Sequence, residues 1–226
     1  MRNQVVAAIA LILLCKLGVA ADNSQAEACF YAVTVGATHV DPLCSDGDRR
    51  NLASNKSVQS AIKAFDLGSV KLRFEGCAAA LFHVTPDGAD GTHAYIVYYP
   101  SNTEDSALTA PTIHELGHVL QMEMNGGSSL ALRAKYDSKR IELGADYLVG
   151  VLFARVLTDA KLNAFEQNLL LPGQYMDPPS TAHGTPAQRD AAFRNGVFGN
   201  ASKSSADYRS LSDYFQGDLY AWVSIV

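Results

Sequence analysis

The sequence predicts an α+β domain in which a small sheet leads into one buried helix bearing ionisable side chains, with a second such helix after it. Three observations carry that expectation. Residues 70–74, 80–84 and 94–99 are short runs rich in apolar, β-branched and aromatic residues, parted by Glu75-Gly76 and by the Pro86-Asp87-Gly88 turn signal, and they read as strands. Residues 111–122 are mostly apolar but place His114, Glu115 and His118 at helical spacing. Residues 138–153 read as a second helix, apolar nearly all round, that nevertheless contains Glu142 and Asp146.

The chain opens on what reads as a targeting segment. Arg2 supplies a positive start, residues 5–14 form an apolar run, and Gly18-Val19-Ala20 offers small residues for cleavage, so residues 1–20 read as a signal peptide and residues 21–226 as one domain. An apolar run that short falls well below the roughly twenty residues a membrane span needs. Leu14 stands where a lipid-modified Cys15 would want a small residue, which disfavours a lipoprotein. Export to a periplasmic or extracellular space is the expectation, with no stable span left after cleavage.

Removing residues 1–20 takes away Arg2 and Lys16 and no acid, moving the formal charge from -5 to -7. An acidic chain of this kind excludes nucleic acid as the expected partner. Three cysteines remain, Cys29, Cys44 and Cys77, which in an oxidising space predicts one disulfide and one spare thiol, with Cys29–Cys44 favoured by proximity. They are scattered and none lies near the histidine helix, so neither metal ligation nor nucleophilic chemistry is expected of them.

Residues 50–66 read as a helix with Leu52, Val58, Ile62 and Phe65 on one side. Among the strands, Tyr95-Ile96-Val97-Tyr98-Tyr99 is open to two readings: an edge strand that binds an extended peptide by main-chain pairing, or a structural core strand. His83 and His93 flank the strands and are expected to be hydrogen-bonded or exposed, outside any site. Pro111 suits a first helical position, where its missing N–H costs nothing.

The 111–122 helix carries the His-Glu-x-x-His pattern at His114, Glu115 and His118. One turn of helix sets both imidazoles on one face, where they can share an ion, and zinc suits two nitrogen ligands so placed. Glu115 stands beside that face and can take a proton from a water held at an open position. A catalytic zinc needs a third protein ligand. Gln121 and Met124 stand where the metzincin pattern needs Gly and His, so that class is excluded. Glu142 and Asp146, at i and i+4, can supply the ligand and the acceptor that fixes a histidine tautomer. Carboxylates in so apolar a helix need a cation or firm hydrogen bonds.

Gly126-Gly127-Ser128-Ser129 reads as the loop that ends the first helix, residues 130–136 as the start of the next, and residues 159–170 as a further helix before a long Pro-rich loop. The tail from 207 to 226 holds Tyr208, Leu211, Tyr214, Phe215, Leu219, Tyr220 and Trp222, too apolar for a disordered end, so it is expected to pack back on the domain.

His114-Glu115-x-x-His118 followed by Glu142-x-x-x-Asp146 resembles the gluzincin arrangement. The local wording is similar to the neutral zinc metallopeptidase family and to the integral-membrane CAAX-protease relatives. A third block, His183-Gly184-Thr185-Pro186-Ala187-Gln188-Arg189 and onward to Phe193-Arg194-Asn195-Gly196, is similar to the segment that follows in the same order in the neutral zinc metallopeptidases. The resemblance spans residues 111–196. It implies a zincin-like fold, Glu142 as third zinc ligand and Asp146 as support for a ligand histidine. Two departures stand out: the stretch between His118 and Glu142 is short, and no membrane span of the prenyl-protease kind is present in the sequence.

The expected activity is therefore that of an exported zinc metallopeptidase acting on a peptide or protein. One Zn2+ would be held by His114, His118 and Glu142, with Glu115 as general base. The rivals are a zincin-like domain that binds or stabilises an envelope partner without cleaving, and an enzyme for a non-peptide amide or cell-wall peptide. Arg189 is expected to tie its loop to the helix of Asp146. His183 is left between that role and donation to an oxyanion or substrate, and Tyr147 and Tyr175 are further possible donors.

Overall fold

The computed structural model describes residues 52–77, 82–101, 105–154, 184–199 and 207–226. Residues 1–51, the proposed helix at 159–170, Tyr175 and His183 lie outside the described residues, as do the signal segment, Cys29 and Cys44. The fold is mixed α+β, a three-stranded sheet with helices, and all described residues belong to one compact unit.

A single 3-10 turn, Leu52–Ser54, precedes α1, Lys56–Ala64, where the sequence reads as one continuous helix. Asn55 causes the break: its side chain accepts from the Ser57 and Val58 amides as an N-cap, and its Nδ2 donates to Thr109 Oγ1 at 3.2 Å. Strands β1 (Lys71–Cys77), β2 (His83–Pro86) and β3 (Ala94–Pro100) follow. The sheet order is β1-β3-β2, with β1 parallel and β2 antiparallel to β3.

That order corrects the edge-strand reading of residues 95–99. β3 is paired on both sides and buried along its whole length, so its main chain has no row of groups left for a peptide. The uninterrupted apolar run already fitted a strand covered on both faces, for which strict alternation is not required.

Helix α2 runs from Asp105 to Glu123, starting well before the first turn that Pro111 suggested. Pro111 is inside this helix, where its ring removes the bond to the carbonyl of residue 107. Burial outweighs that loss. Leu108 packs with Leu52 and Tyr99, and Ile113, Leu116, Val119 and Leu120 are sealed in the main core. Each such side chain contributes roughly 1.5–3 kcal/mol by leaving water.

α2 stops at a turn in which Gly126 and Gly127 both take positive φ, and Ser128 then caps α3, Ser129–Lys135. α4, Ser138–Ala154, is buried from Leu143 to Phe153. It crosses α2 where Gly117 meets Ala145: a Cβ on Gly117 would stand 3.3 Å from the Ala145 Cα and Cβ. Gly117 immediately precedes His118 and Ala145 immediately precedes Asp146, so this close approach of small residues is what brings the two polar stripes together.

α5, Pro186–Gly199, packs on the other side of α4 with backbones in contact. A Cβ on Gly150 would fall 2.1 Å from the Phe193 carbonyl oxygen, and one on Gly196 would fall 2.2 Å from that of Tyr147. The chain ends in α6 (Tyr208–Tyr214), a π-turn (Phe215–Leu219) and α7 (Tyr220–Val223). As expected, the tail packs back: Tyr208, Leu211, Phe215 and Val223 are buried, although Trp222 stays half exposed. No helix among the described residues is long and apolar enough to cross a membrane.

Candidate metal centre

His114, Glu115 and His118 project from α2 into its contact with α4, all three nearly buried, and each brings a possible ligand atom within 4.8 Å of the others. From α4, Glu142 Oε2 stands 3.1 Å from His114 Nε2 and 3.5 Å from His118 Nε2. The two imidazoles are set edge to face, 4.7 Å between ring centres. Two carboxylates thus approach the pair of histidines. Glu142 is in contact with both Nε2 atoms, and Glu115 brings its carboxylate into the same cluster as the histidines.

The far nitrogens decide the protonation of the near ones. His114 Nδ1 lies 2.8 Å from Asp146 Oδ1, and His118 Nδ1 lies 2.9 Å from Gln121 Oε1. A carboxylate can only accept, so His114 Nδ1 carries hydrogen. Gln121 is oriented by the Ile141 carbonyl, to which its Nε2 donates at 2.9 Å; its oxygen must therefore face His118, whose Nδ1 also carries hydrogen. In neutral rings both Nε2 atoms are then bare lone pairs, turned on the Glu142 carboxylate. Acceptor facing acceptor is unfavourable, so a positive charge belongs between them.

Without a metal, that charge is a proton. Burial alone lowers the His114 pKa, but the Asp146 and Glu142 carboxylates overcome it and raise it to about 10. For His118 burial again opposes, and Glu142 is the main cause of a net rise. With neutral imidazoles, Glu115, Glu142, Asp146 and Arg189 leave a net charge of minus two in a largely buried cluster. One divalent cation cancels it.

The donor set fits such an ion. Metal–ligand bonds of about 2.0–2.1 Å in a tetrahedron put neighbouring donor atoms about 3.3 Å apart, and the two contacts to Glu142 bracket that value. Nitrogen and carboxylate donors with further room at Glu142, whose side chain keeps 20% of its surface, are the set expected of an open zinc site.

Asp146 is wholly buried, and Arg189 from α5 grips it twice, through Nε to Oδ2 at 2.6 Å and a terminal nitrogen to Oδ1 at 2.8 Å. Burial would raise this carboxyl's pKa, yet Arg189 and then His114 hold it below the usual range. Arg189 does tie to the helix of Asp146 as read in the sequence, but from within α5 and not from a loop. The reading of Glu142 and Asp146 as one face of a buried helix matches their surroundings, whereas Tyr147 is buried against Phe215, 5.2 Å between ring centres, in the aromatic packing of the tail.

Outside the centre, His83 stacks on Tyr98, and His93 pairs with Glu123 at the end of α2. Glu123 also accepts from the Tyr95 hydroxyl at 2.6 Å; burial and this carboxylate raise the Tyr95 pKa. Gln121 is the residue that sequence reasoning passed over. Its spacing three residues after His118 was a usable signal, because i and i+3 share a helix face.

Searches against protein-family models, curated proteins and solved structures find no match to this chain.

Proposed function

We propose that the chain is a zinc-dependent metallopeptidase of zincin-like fold, with His114, His118 and Glu142 as ligands of one Zn2+ and Glu115 as general base. The observation that carries this reading is the convergence of two tautomer-fixed Nε2 atoms on the Glu142 carboxylate with a second carboxylate, Glu115, alongside. When bound, the zinc supplies Lewis acidity toward a carbonyl oxygen and brings the pKa of a water to about 7.

The chain's residues do the rest. Glu115 is sited to take the proton of the attacking water and hand it to the leaving amine. Asp146 and Gln121 hold the imidazoles in one tautomer and orientation, and Arg189 holds Asp146. Glu142 keeps more of its side-chain surface than either histidine, 20% against 7% and 11%. Among the described strands, β1 and β2 are the edges an extended peptide would pair with, because β3 is flanked by both. The N-terminal apolar segment supports export as the setting of this activity.

Digestion of a broad peptide library by the zinc-loaded chain tests the reading. Glu115→Gln should keep stoichiometric zinc and lose at least about 10²–10⁴-fold in cleavage rate, as expected for removing a general base. Equal turnover would rule the mechanism out. Glu142→Ala should lose zinc on dialysis, and full metal content by elemental analysis would remove Glu142 from the ligand set. A loaded wild-type chain that cleaves nothing in the library would favour the binding or envelope-stabilising alternative.

A further inference from the structure

The C-terminal helical tail has had no part in the chemistry so far, yet one of its side chains reaches α4 just before Glu142. Gln216 lies in the π-turn and is buried, and its Nε2 donates to the Arg140 carbonyl at 3.3 Å. Gln121 Nε2 donates to the next carbonyl, that of Ile141, at 2.9 Å. Two amides from two different elements therefore sit on consecutive carbonyls of α4, immediately before Glu142.

Both amides use the space that Gly144 leaves open. A Cβ at Gly144 would stand 2.5 Å from Gln216 Nε2 and 2.7 Å from Gln121 Nε2. The two glutamines also line one cavity of about 20 Å³, room for a single water. Gln216 Oε1 is buried and has no hydrogen-bond partner among the described residues. Gln121 Nε2 has a second N–H beyond the one given to Ile141. A water in this cavity satisfies both: it accepts from Gln121 and donates to Gln216 Oε1.

The backbone is arranged to the same end. π-turns are rare and cluster at functional places, and this one leaves the successive residues Phe215 and Gln216 both buried. Around it, Arg140 stacks on the Tyr220 ring at 4.3 Å and the Tyr220 hydroxyl donates to Asp137 Oδ1 at 3.2 Å, which pins the tail to the start of α4.

We propose that Gln216 is a positioning residue of the metal centre, acting on His118 through one water and the Gln121 amide. The tail then completes the support of the second histidine, as α5 completes that of the first through Arg189. The zinc consequence rests on the metallopeptidase reading; the hydrogen-bond path proposed here does not require the metal.

The test uses the full chain and two readouts. Gln216→Met removes both amide atoms at similar length. Expected results are a zinc Kd, measured by competition with a chromophoric chelator, weakened about 10-fold, and faster solvent exchange of the His118 Nδ1–H signal in the 15N-labelled metal-free chain. The double variant with Gln121→Met should bind zinc no more weakly than Gln121→Met alone, because the two act in series. Unchanged Nδ1–H exchange, or fully additive losses, would overturn the proposal. A wild-type chain that takes up no zinc would sink the metallopeptidase reading, while the Nδ1–H comparison would still decide for or against Gln216. Should Gln216→Met fail to fold, Gln216→Asn withdraws the amide by one methylene while leaving Gln121 untouched, and the same two readouts apply.

Discussion

His114 and His118 leave one helix a single turn apart, yet their far nitrogens are held by opposite kinds of chemistry. Behind His114 stands a charged pair, Asp146 with Arg189, wholly enclosed. Behind His118 stands a neutral amide, Gln121, anchored on a backbone carbonyl. The difference follows from charge balance: the buried groups already carry two net negative charges, which one dication cancels. A second carboxylate behind His118 would leave one in excess, and the cost of an unmatched buried charge exceeds what a stronger hydrogen bond returns.

Removing the charged support breaks the comparison hardest. Asp146→Ala leaves Arg189 and His114 facing each other without their counter-charge, and the metal-free chain should lose about 3–5 kcal/mol of unfolding free energy. Urea denaturation of the variant measures this; a loss under about 1 kcal/mol would mean that the pair is solvated. The neutral support should cost less. Gln121→Met leaves no charge stranded, so its expected loss is about 1–2 kcal/mol, with zinc affinity falling roughly 10-fold or more.

The charged side of the centre, unlike the neutral one, also carries a pH signature. The His114 pKa is raised in the folded metal-free chain, so its contribution is fully present below the unfolded value of about 6.5 and lost as pH rises through about 10. Zinc must displace that proton, so the melting temperature gained on adding zinc should grow between those limits. The Asp146 carboxyl is lowered, so its contribution is present above the unfolded value of about 3.9 and lost as pH falls through the lower folded one. A zinc-induced shift that is flat above pH 6.5 would contradict the first part. The smallest effect is a control on α5: the exposed Arg194–Asp190 pair, 2.9 Å apart, should contribute no more than about 0.5 kcal/mol when Arg194 is changed to Ala.

Much of the centre was legible because helical spacing is a local property. His114, Glu115 and His118 are fixed relative to one another by one turn of backbone, and Glu142 and Asp146 likewise. The strands at 94–99 and 70–74 were legible from composition. Their order was not, since pairing partners lie far apart in the chain, and an apolar run that fits a strand covered on both faces does not say which strands flank it. Pro111 misled for the same reason. Its local preference for a first turn was outweighed by burial of the preceding residues of α2, which the sequence does not display.

The sequence by itself determined the donor types and their periodic placement on two apolar helices, because covalent spacing and helix geometry require nothing beyond the segment. Only the tertiary structure decided that the helices meet at Gly117 and Ala145, that Arg189 closes on Asp146, and that Gln121 turns its oxygen to His118. Those are contacts between distant segments, set by which small residues let backbones approach and by which buried polar atoms must find partners once water is gone.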